Sequence, residues 1–170
     1  MPFAIQKLSA FDAQDYRDLR LEGLAAHPEA FGASWEDESL LSVDDFAHRL
    51  EQQHVFAARQ TDTKIMLGAV GIRLSAASKT KHKGLIVGMY VRPEMRGSGV
   101  GAALVQHVLD YARSIVEQVN LVVEASNVGA CGLYRKLGFE QYGYEPRARK
   151  VGQTYYDDVL MALALRDGQA

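Results

Sequence analysis

VRPEMRGSGVGA, residues 91–102, places three glycines at alternate positions between two arginines and a long apolar segment. Glycine lets a ligand phosphate approach the backbone without obstruction by a side chain. If a helix begins near Gly99, the amides of residues 97–102 have no acceptors within that helix. They can converge on an anion, assisted by the positive end of the helix dipole. The stretch therefore predicts a phosphate-binding loop at a helix N-terminus.

Two other phosphate-binding loops compete for the same stretch. Gly97, Gly99 and Ala102 satisfy the dinucleotide pattern G-x-G-x-x-G/A, which also requires its first glycine at the very end of a strand. Here RPEMR separates strand from glycine, and the strands before it form an antiparallel meander. A Walker loop fails because no Gly-Lys-Ser/Thr follows. A glycine-rich turn without a ligand stays open.

Hydrophobic periodicity predicts the elements around this loop in the order β-α-α-β-β-β-α-β-α-β-β. The first helix follows Asp12 and carries one stripe of residues: Tyr16, Leu19, Arg20, Gly23 and Leu24. Ser42 and Asp45 form a predicted capping box for the second helix. Residues 29–39 are predicted to form a loop. Together these elements predict an α/β domain with a mixed, mostly antiparallel sheet.

Two further helices follow the glycine loop. The first begins near Gly99, and its predicted buried face consists of Leu104, Val108, Ala112 and Ile115. The second is a compact helix over residues 128–137. Gly138 is its predicted left-handed cap.

Bulk properties exclude several classes of function. A single domain over residues 1–170 is expected at this length. The net charge of −2 gives no general positive field for nucleic acid. Cys131 is the only cysteine, so no internal disulfide is expected, and the five histidines show no metal-type spacing. No apolar run approaches a membrane span and no signal pattern opens the chain, so we expect a cytoplasmic protein without metal.

Two separated segments resemble the GNAT superfamily of N-acetyltransferases. RGSGVG at residues 96–101 is similar to the family's R/Q-x-x-G-x-G/A pattern, and NVGACGLYRKLGF at 127–139 is similar to its second conserved segment. The resemblance is strong over residues 85–142 and rests on element order alone in the N-terminal half. It implies a single GNAT-like domain, with helices flanking the sheet and acetyl-CoA as cosubstrate.

The resemblance also implies which residues contact acetyl-CoA. The pyrophosphate is expected on the glycine loop: Arg96, Gly97, Ser98, Gly99, Val100, Gly101 and Ala102. Main-chain groups of Met89, Tyr90 and Val91 are expected to contact the acetyl and pantetheine portions, and Asn127 the pantetheine arm. Asn127 could equally serve only as a helix cap.

Tyr134 occupies the family's general-acid position and is the first candidate for a catalytic side chain. A phenol can return a proton to a thiolate, although a tyrosine here could also be purely structural. Residues 85–91 contain no Asp, Glu or His, so the family's usual strand carboxylate is missing. Glu124 is the predicted substitute base, with Asp157 and Asp158 as alternatives.

Phe31, Trp35 and Glu36 are the predicted acceptor-binding residues, because aromatic and acidic groups suit an amine cation. The acidic run that includes Glu36 continues through Asp37 and Glu38 and could attract such a cation. The implied reaction is direct acetyl transfer to a primary amine of a small molecule or to a protein N-terminus or lysine. A non-catalytic acyl-CoA sensor and an NAD-binding oxidoreductase are the alternatives. No nucleic acid or membrane partner is expected, and both a homodimer and a monomer stay open.

Overall fold

The computed structural model describes residues 2–166. Its strands are β1 (Phe3–Lys7), β2 (His54–Gln60), β3 (Met66–Leu74), β4 (Lys83–Val91), β5 (Gln118–Glu124), β6 (Glu140–Val151) and β7 (Thr154–Ala164). Its helices are α1 (Ala13–Ala26), the single turn α2 (Trp35–Glu38), α3 (Val43–Gln52), α4 (Val100–Ala112) and α5 (Val128–Lys136).

The strands form one seven-stranded sheet in the order β1-β2-β3-β4-β5-β7-β6. Every neighbouring pair is antiparallel except β4 and β5, which are parallel and joined through α4. The predicted fold class, a mixed and mostly antiparallel sheet flanked by helices, is confirmed.

Alternation along the strands sends side chains to two separate cores. On β2, Val55 and Ala57 pack with α1 and α3, whereas Phe56 and Ala58 pack with α4. We call these two sides of the sheet the α1 face and the α4 face. Burying a large apolar side chain contributes roughly 1.5–3 kcal/mol, so both layers stabilise the fold.

Helix α4 follows the predicted stripe for three turns and then ends earlier than expected. Leu104, Val108 and Ala112 are fully buried, but Ile115 lies beyond the helix and is 43% exposed. The prediction for Ile115 is therefore wrong. The amide of Val116 bonds to the carbonyl of Ala112, and this turn brings Val116 into the core instead.

The segment predicted as a loop at 29–39 contains short helical structure. Pro28–Ala30 forms a 3-10 turn, and α2 begins after Ser34, whose hydroxyl accepts the Asp37 amide at 3.1 Å. The capping box predicted at the start of α3 is confirmed, with Asp45 accepting from the Ser42 amide at 2.7 Å.

Strand β4 contains a bulge that opens the middle of the sheet. Between the pairs Ala69–Tyr90 and Gly71–Val87, β4 has one more residue than β3, and Gly88 there adopts φ +61°. A bulge bends its strand and increases the local twist. Beyond Leu85, β4 no longer pairs with β5, while β5 stays paired to β7 as far as Glu124. The result is a gap between β4 and β5.

Candidate active site

The gap between β4 and β5 leads into a cavity of about 560 Å³. One side of the cavity is formed by β4 at 85–89, and the other by β5 at 121–124. Asn127 and Tyr134 of α5 close one end, and side chains of α1 and α3 line the other. The cleft thus connects the α4 face to the α1 face through the sheet.

The glycine loop lies beside this cleft and presents free backbone donors. Gly97 and Gly99 have φ +74° and φ +90°, a conformation that residues with a Cβ rarely adopt. Within residues 2–166, the amides of residues 99–102 bond to no backbone carbonyl. A Cβ on Gly101 would lie 3.5 Å from Cε of Met89, which also lines the cavity, so the loop adjoins the cleft.

Two side chains of the loop are already engaged elsewhere. The Ser98 hydroxyl donates to the Met95 carbonyl at 2.6 Å and the Ser98 amide donates to the same carbonyl at 3.4 Å, so both groups have a partner other than the predicted phosphate. The guanidinium of Arg96 lies 2.8 Å from Nε2 of His27 at the end of α1. The structure therefore offers an anion the backbone amides of the loop more than its side chains.

The three predicted strand residues separate according to which face they serve. Met89 lines the cavity. Tyr90 is buried on the α1 face and donates to Glu22 at 3.0 Å. Burial, together with this bond, raises the pKa of Tyr90 to about 12. Val91 packs against the α4 core. The sequence predicts main-chain contacts to acetyl-CoA at these three residues. The positions of their side chains do not test that prediction.

Tyr134 sits at the α4-face end of the cavity, where the sequence predicts the general acid. It is buried, its ring lies edge-on to Phe139 with centroids 5.8 Å apart, and it lines the cavity. Burial raises the pKa of the Tyr134 phenol, with the neighbouring Cys131 adding to the effect. Within residues 2–166 the hydroxyl has no hydrogen-bond partner. The structure therefore places a phenol with a raised pKa in the cavity wall.

Asn127 caps α5 and lines the same end of the cavity. Its Oδ1 accepts the Ala130 amide at 3.1 Å, which explains the residue as a cap. Its side-chain amide nitrogen and the second lone pair of Oδ1 stay available for the predicted pantetheine contact. Gly138 ends this helix with φ +95°, as predicted.

Glu124, the predicted base, is buried at the end of β5 and lines the cavity. Its two oxygens accept the amide of Ser126 at 3.0 Å and the hydroxyl of the same serine at 2.6 Å. Its cross-strand partner on β7 is Asp158, also buried. Sequence spacing alone does not bring these carboxylates together; the β5–β7 register does.

The two alternative carboxylates differ in environment. Asp158 pairs with Arg149 at 3.0 Å, and its other oxygen is buried without a partner in the described chain. Burial raises the pKa of Asp158, although Arg149 opposes the shift. Asp157 lies near the surface, where hydrogen bonds from Tyr144 and the Arg147 amide lower its pKa. Asp157 is thus held by neighbours and does not line the cavity.

The predicted acceptor residues divide between two cavities. Phe31 is buried and lines both the first cavity and a second one of about 730 Å³. Trp35, which is 44% exposed, and Glu36 line only the second cavity. Arg149 also lines both and ties β6 to the Glu29 carbonyl at 2.8 Å. Of the three, only Phe31 adjoins the cleft.

Arg20, Glu38 and Arg49 form a charged cluster in the cavity wall that the sequence alone did not assign. Arg20 donates to both oxygens of Glu38 at 3.0 and 3.1 Å, and Arg49 donates to the same carboxylate at 3.2 Å. Burial alone would raise the pKa of Glu38, but the hydrogen bonds and charges of the two arginines lower it. The signal available in the sequence was an arginine in the buried stripe of the first helix.

Comparison with known families identifies this arrangement. The model of the family described as "Acetyltransferase (GNAT) family" matches residues 16–139. The chain belongs to the GNAT family. The resemblance predicted from the two motifs is confirmed, and the match extends well into the N-terminal half, where motifs were weak.

Curated relatives match over part of their length. An L-methionine sulfoximine/L-methionine sulfone acetyltransferase of Pseudomonas aeruginosa is 35% identical over 78 residues, which is 45% of this chain and 45% of that protein. N-alpha-acetyltransferase RimI of Mycobacterium tuberculosis is 34% identical over 99 residues, 58% of this chain and 59% of that protein. The chain thus spans about half the length of the curated relatives it matches.

Solved GNAT structures show the same fold over the whole chain. yncA of Salmonella typhimurium, solved with its cofactor acetyl-CoA, superposes with a TM-score of 0.86 at 17% identity, covering 100% of this chain and 98% of that one. A GNAT acetyltransferase of Streptococcus pneumoniae gives 0.85 at 20% identity, with coverage of 96% and 99%. At these identities the likeness concerns the fold alone.

The cleft itself fits the acetyl-CoA that GNAT enzymes use. Free amides at the start of α4 suit a pyrophosphate, and the gap between β4 and β5 can take an extended arm. Across residues 2–166 no group of three or more His, Cys, Asp or Glu is placed to hold a metal ion. No helix in the same range is long and apolar enough to cross a membrane.

Proposed function

We propose that the chain is an N-acetyltransferase that moves an acetyl group directly from acetyl-CoA to a primary amine. The observation that supports this most is the gap between β4 and β5, because it joins a backbone phosphate site on the α4 face to a charged cavity on the α1 face. Acetyl-CoA supplies the activated acetyl thioester when it is bound.

The chain's own groups divide the chemistry between them. The amides of residues 99–102 bind the pyrophosphate, and backbone groups at 89–91 hold the acetyl end. Glu124 accepts a proton from the amine, directly or through water, because a protonated amine is not a nucleophile. Tyr134 donates a proton to the departing sulfur, since burial keeps its phenol protonated.

Asp158 acts in this scheme as a positioning residue behind Glu124. Its proximity across the β5–β7 ladder and its ion pair with Arg149 set the charge around the base. Burial raises the pKa of Asp158, and the charge of Arg149 opposes that shift.

Acceptors within reach of this site are small amines, protein N-termini and lysines. Among the relatives, one acts by name on L-methionine sulfoximine and L-methionine sulfone, one is an N-alpha-acetyltransferase, and YjaB of Escherichia coli is a peptidyl-lysine N-acetyltransferase, 38% identical over 55 residues. These names set the first acceptor panel: the two methionine derivatives, a peptide with a free N-terminus and an N-terminally blocked lysine peptide.

The test combines binding with turnover. Acetyl-CoA should raise the Tm, and NAD at the same concentration should not. CoA release should then appear with at least one acceptor class and should depend on Tyr134. Stabilisation by NAD alone would overturn the proposal in favour of an oxidoreductase. Tight acetyl-CoA binding without release on any amine would favour the sensor.

Three further properties of the chain are its domain extent, its location and its assembly. We propose one domain over residues 1–170, a cytoplasmic location and, as one of two states, a homodimer. Strand β6 ends the sheet, and its outer edge is unpaired within residues 2–166, which suits edge pairing between copies. Light scattering after gel filtration distinguishes dimer from monomer.

A further inference from the structure

The residues that line the first cavity carry more positive than negative charge. Four arginines (Arg20, Arg49, Arg73 and Arg149) and two glutamates (Glu38 and Glu124) line it. Asp158 pairs with Arg149 from outside the lining, so the cavity keeps an excess of one positive charge in a chain whose net charge is −2. An acceptor that is only a cation would be repelled by most of the cavity wall.

The positive charge is concentrated on the α1-face side of β3 and β4. Arg149 is neutralised by Asp158, which lies behind it. Glu38 is shared by Arg20 and Arg49, so that cluster keeps one positive charge. Arg73 is exposed, and no ion pair involves it within residues 2–166. Alternation along β3 directs Arg73 to the same face as Ala69, which packs with α1 and α3.

The carboxylate of Glu124 lies across the gap from these arginines. Leu85 pairs with Asn120, and Glu124 lies four residues further along β5. Gly88 lies three residues beyond Leu85 on β4, and a Cβ there would be 3.1 Å from Nη1 of Arg20. Arg20, beside Gly88 of β4, and Glu124 of β5 therefore line the cavity from opposite sides of the gap.

Arg20 also has hydrogen-bond donors that Glu38 does not use. Its Nε and Nη2 hold Glu38, while Nη1 makes no hydrogen bond within residues 2–166. A guanidinium carries five donors in a fixed fork, so it can hold Glu38 and a second carboxylate together. Its position is fixed by Glu38 and by the Phe31 ring, whose centroid lies 5.1 Å from its central carbon.

We propose that the acceptor is an α-amino acid, whose carboxylate binds Arg20 and the Arg73 side of the cavity while its amine faces Glu124. This inference rests on the proposed acetyl transfer and names the acceptor class of the same site. The hydrogen bond from Arg149 to the Glu29 carbonyl lies between the two cavities. This separation favours a small acceptor over an extended peptide.

The test compares acceptors that differ only in the carboxylate. The twenty L-amino acids, their carboxamides and the corresponding decarboxylated amines are assayed for CoA release at one pH. The carboxamide has the lower amine pKa and thus more neutral amine, so a preference for the acid opposes that chemical bias. At least one free acid should exceed its carboxamide by about tenfold or more in kcat/KM.

Variants separate recognition from folding. Arg73→Gln should raise KM for the preferred acid several-fold and leave the carboxamide unchanged, with kcat little affected. Arg20→Lys keeps the charge but loses the fork, and it should reduce the acid preference further. Arg113→Gln, an exposed arginine at the end of α4 paired with Asp110, is the matched control and should change neither substrate.

The outcomes are distinct. Carboxamides or plain amines used as well as the acids would overturn the amino-acid inference and leave the acetyltransferase intact. An acid preference that survives both Arg73→Gln and Arg20→Lys would also overturn it. Absence of CoA release with every acceptor tested, despite acetyl-CoA binding, would overturn the proposed function itself.

Discussion

The two ends of the cleft are built differently: the α4 face presents free backbone amides of residues 99–102, whereas the α1 face presents the side chains of Arg20, Glu38 and Arg49. The amides are positioned by a helix start and two positive φ values, which follow from local sequence. The side chains come from three separate helices and meet only through packing. One cleft thus joins a site set by local backbone conformation to a site set by tertiary contacts.

This difference predicts how each half responds to substitution. A site made of backbone amides tolerates substitution of side chains, but it loses affinity when a substitution disfavours the φ that the loop requires. A side-chain site keeps its backbone and changes its specificity or stability with single substitutions. The predictions below test this contrast, beginning with the residue at the junction of the two halves.

Tyr134→Phe should have the largest effect. General acid catalysis contributes roughly 10²–10⁴-fold, so kcat should fall by about that factor while the Kd for acetyl-CoA changes by less than about threefold. Because burial raises the pKa of this phenol, its ionisation should cause no loss of wild-type activity below about pH 10. Steady-state kinetics with isothermal titration measures both quantities.

Tyr142→Phe is the control, because this tyrosine is exposed on β6 away from the cleft. It should behave as wild type. An unchanged kcat in Tyr134→Phe would show that the sulfur leaves without this acid, and the buried tyrosine would then be structural.

Glu38→Gln tests the side-chain half through stability. It leaves Arg20 and Arg49 without their shared carboxylate, and removing one partner of a buried pair costs up to roughly 3–5 kcal/mol. We expect a loss of about 1–3 kcal/mol at pH 7, because the cluster keeps some contact with water. Urea denaturation measures it.

The same variant has a pH dependence of fixed sign. The folded pKa of Glu38 is lowered, so its stabilisation is present above the unfolded pKa of about 4.3 and is lost as the pH falls through the lower folded value. The difference between wild type and Glu38→Gln should therefore shrink from pH 7 to pH 3. A constant difference would mean that packing, not charge, accounts for the loss. Asp44→Asn on α3 is the exposed control.

Sequence was most informative where structure is local. The helix start at Gly99 and the left-handed cap at Gly138 depend on a few consecutive residues, and both were predicted correctly. The Asn127 cap was one of two alternatives, and the structure shows it. The exception was Ile115, because nothing in the periodicity marks where α4 ends and Val116 replaces it in the core.

The gap and the charged cluster escaped prediction because they depend on register between distant segments. Gly88 was visible as a glycine in a strand, but the bulge requires the pairing of β3 with β4 to be known. Glu38 was grouped with its acidic neighbours Glu36 and Asp37 as a run that could attract a cationic acceptor. Only the packing of α2 against α1 and α3 turns it inward.

Gly99→Ala tests the backbone half directly. A residue with a Cβ held at φ +90° costs of order 1–3 kcal/mol, while the position itself has open space around it. Relaxation of the loop should weaken acetyl-CoA binding by about tenfold, since 1.4 kcal/mol corresponds to that factor. Titration calorimetry measures the Kd.

Gly152→Ala provides a control matched for strain. This glycine has φ +59° in the turn between β6 and β7, also with open space. Both variants should lose stability, but only Gly99→Ala should lose acetyl-CoA affinity. Equal Kd values for the two would mean that the loop amides do not hold the cofactor.

Ser98→Ala should have the smallest effect. It tests directly whether the cofactor is held by backbone amides or by side chains of the loop. The resemblance to GNAT enzymes implies a contact between residue 98 and the cofactor, yet its hydroxyl already donates to the Met95 carbonyl at 2.6 Å. Alanine keeps the amide and loses only that local bond, worth about 0.5–1.5 kcal/mol of stability. The Kd for acetyl-CoA should then change by less than about twofold, with a small fall in Tm. A tenfold weaker Kd in this variant would mean that the hydroxyl turns towards the phosphate on binding, and that side chains contribute to both halves of the cleft.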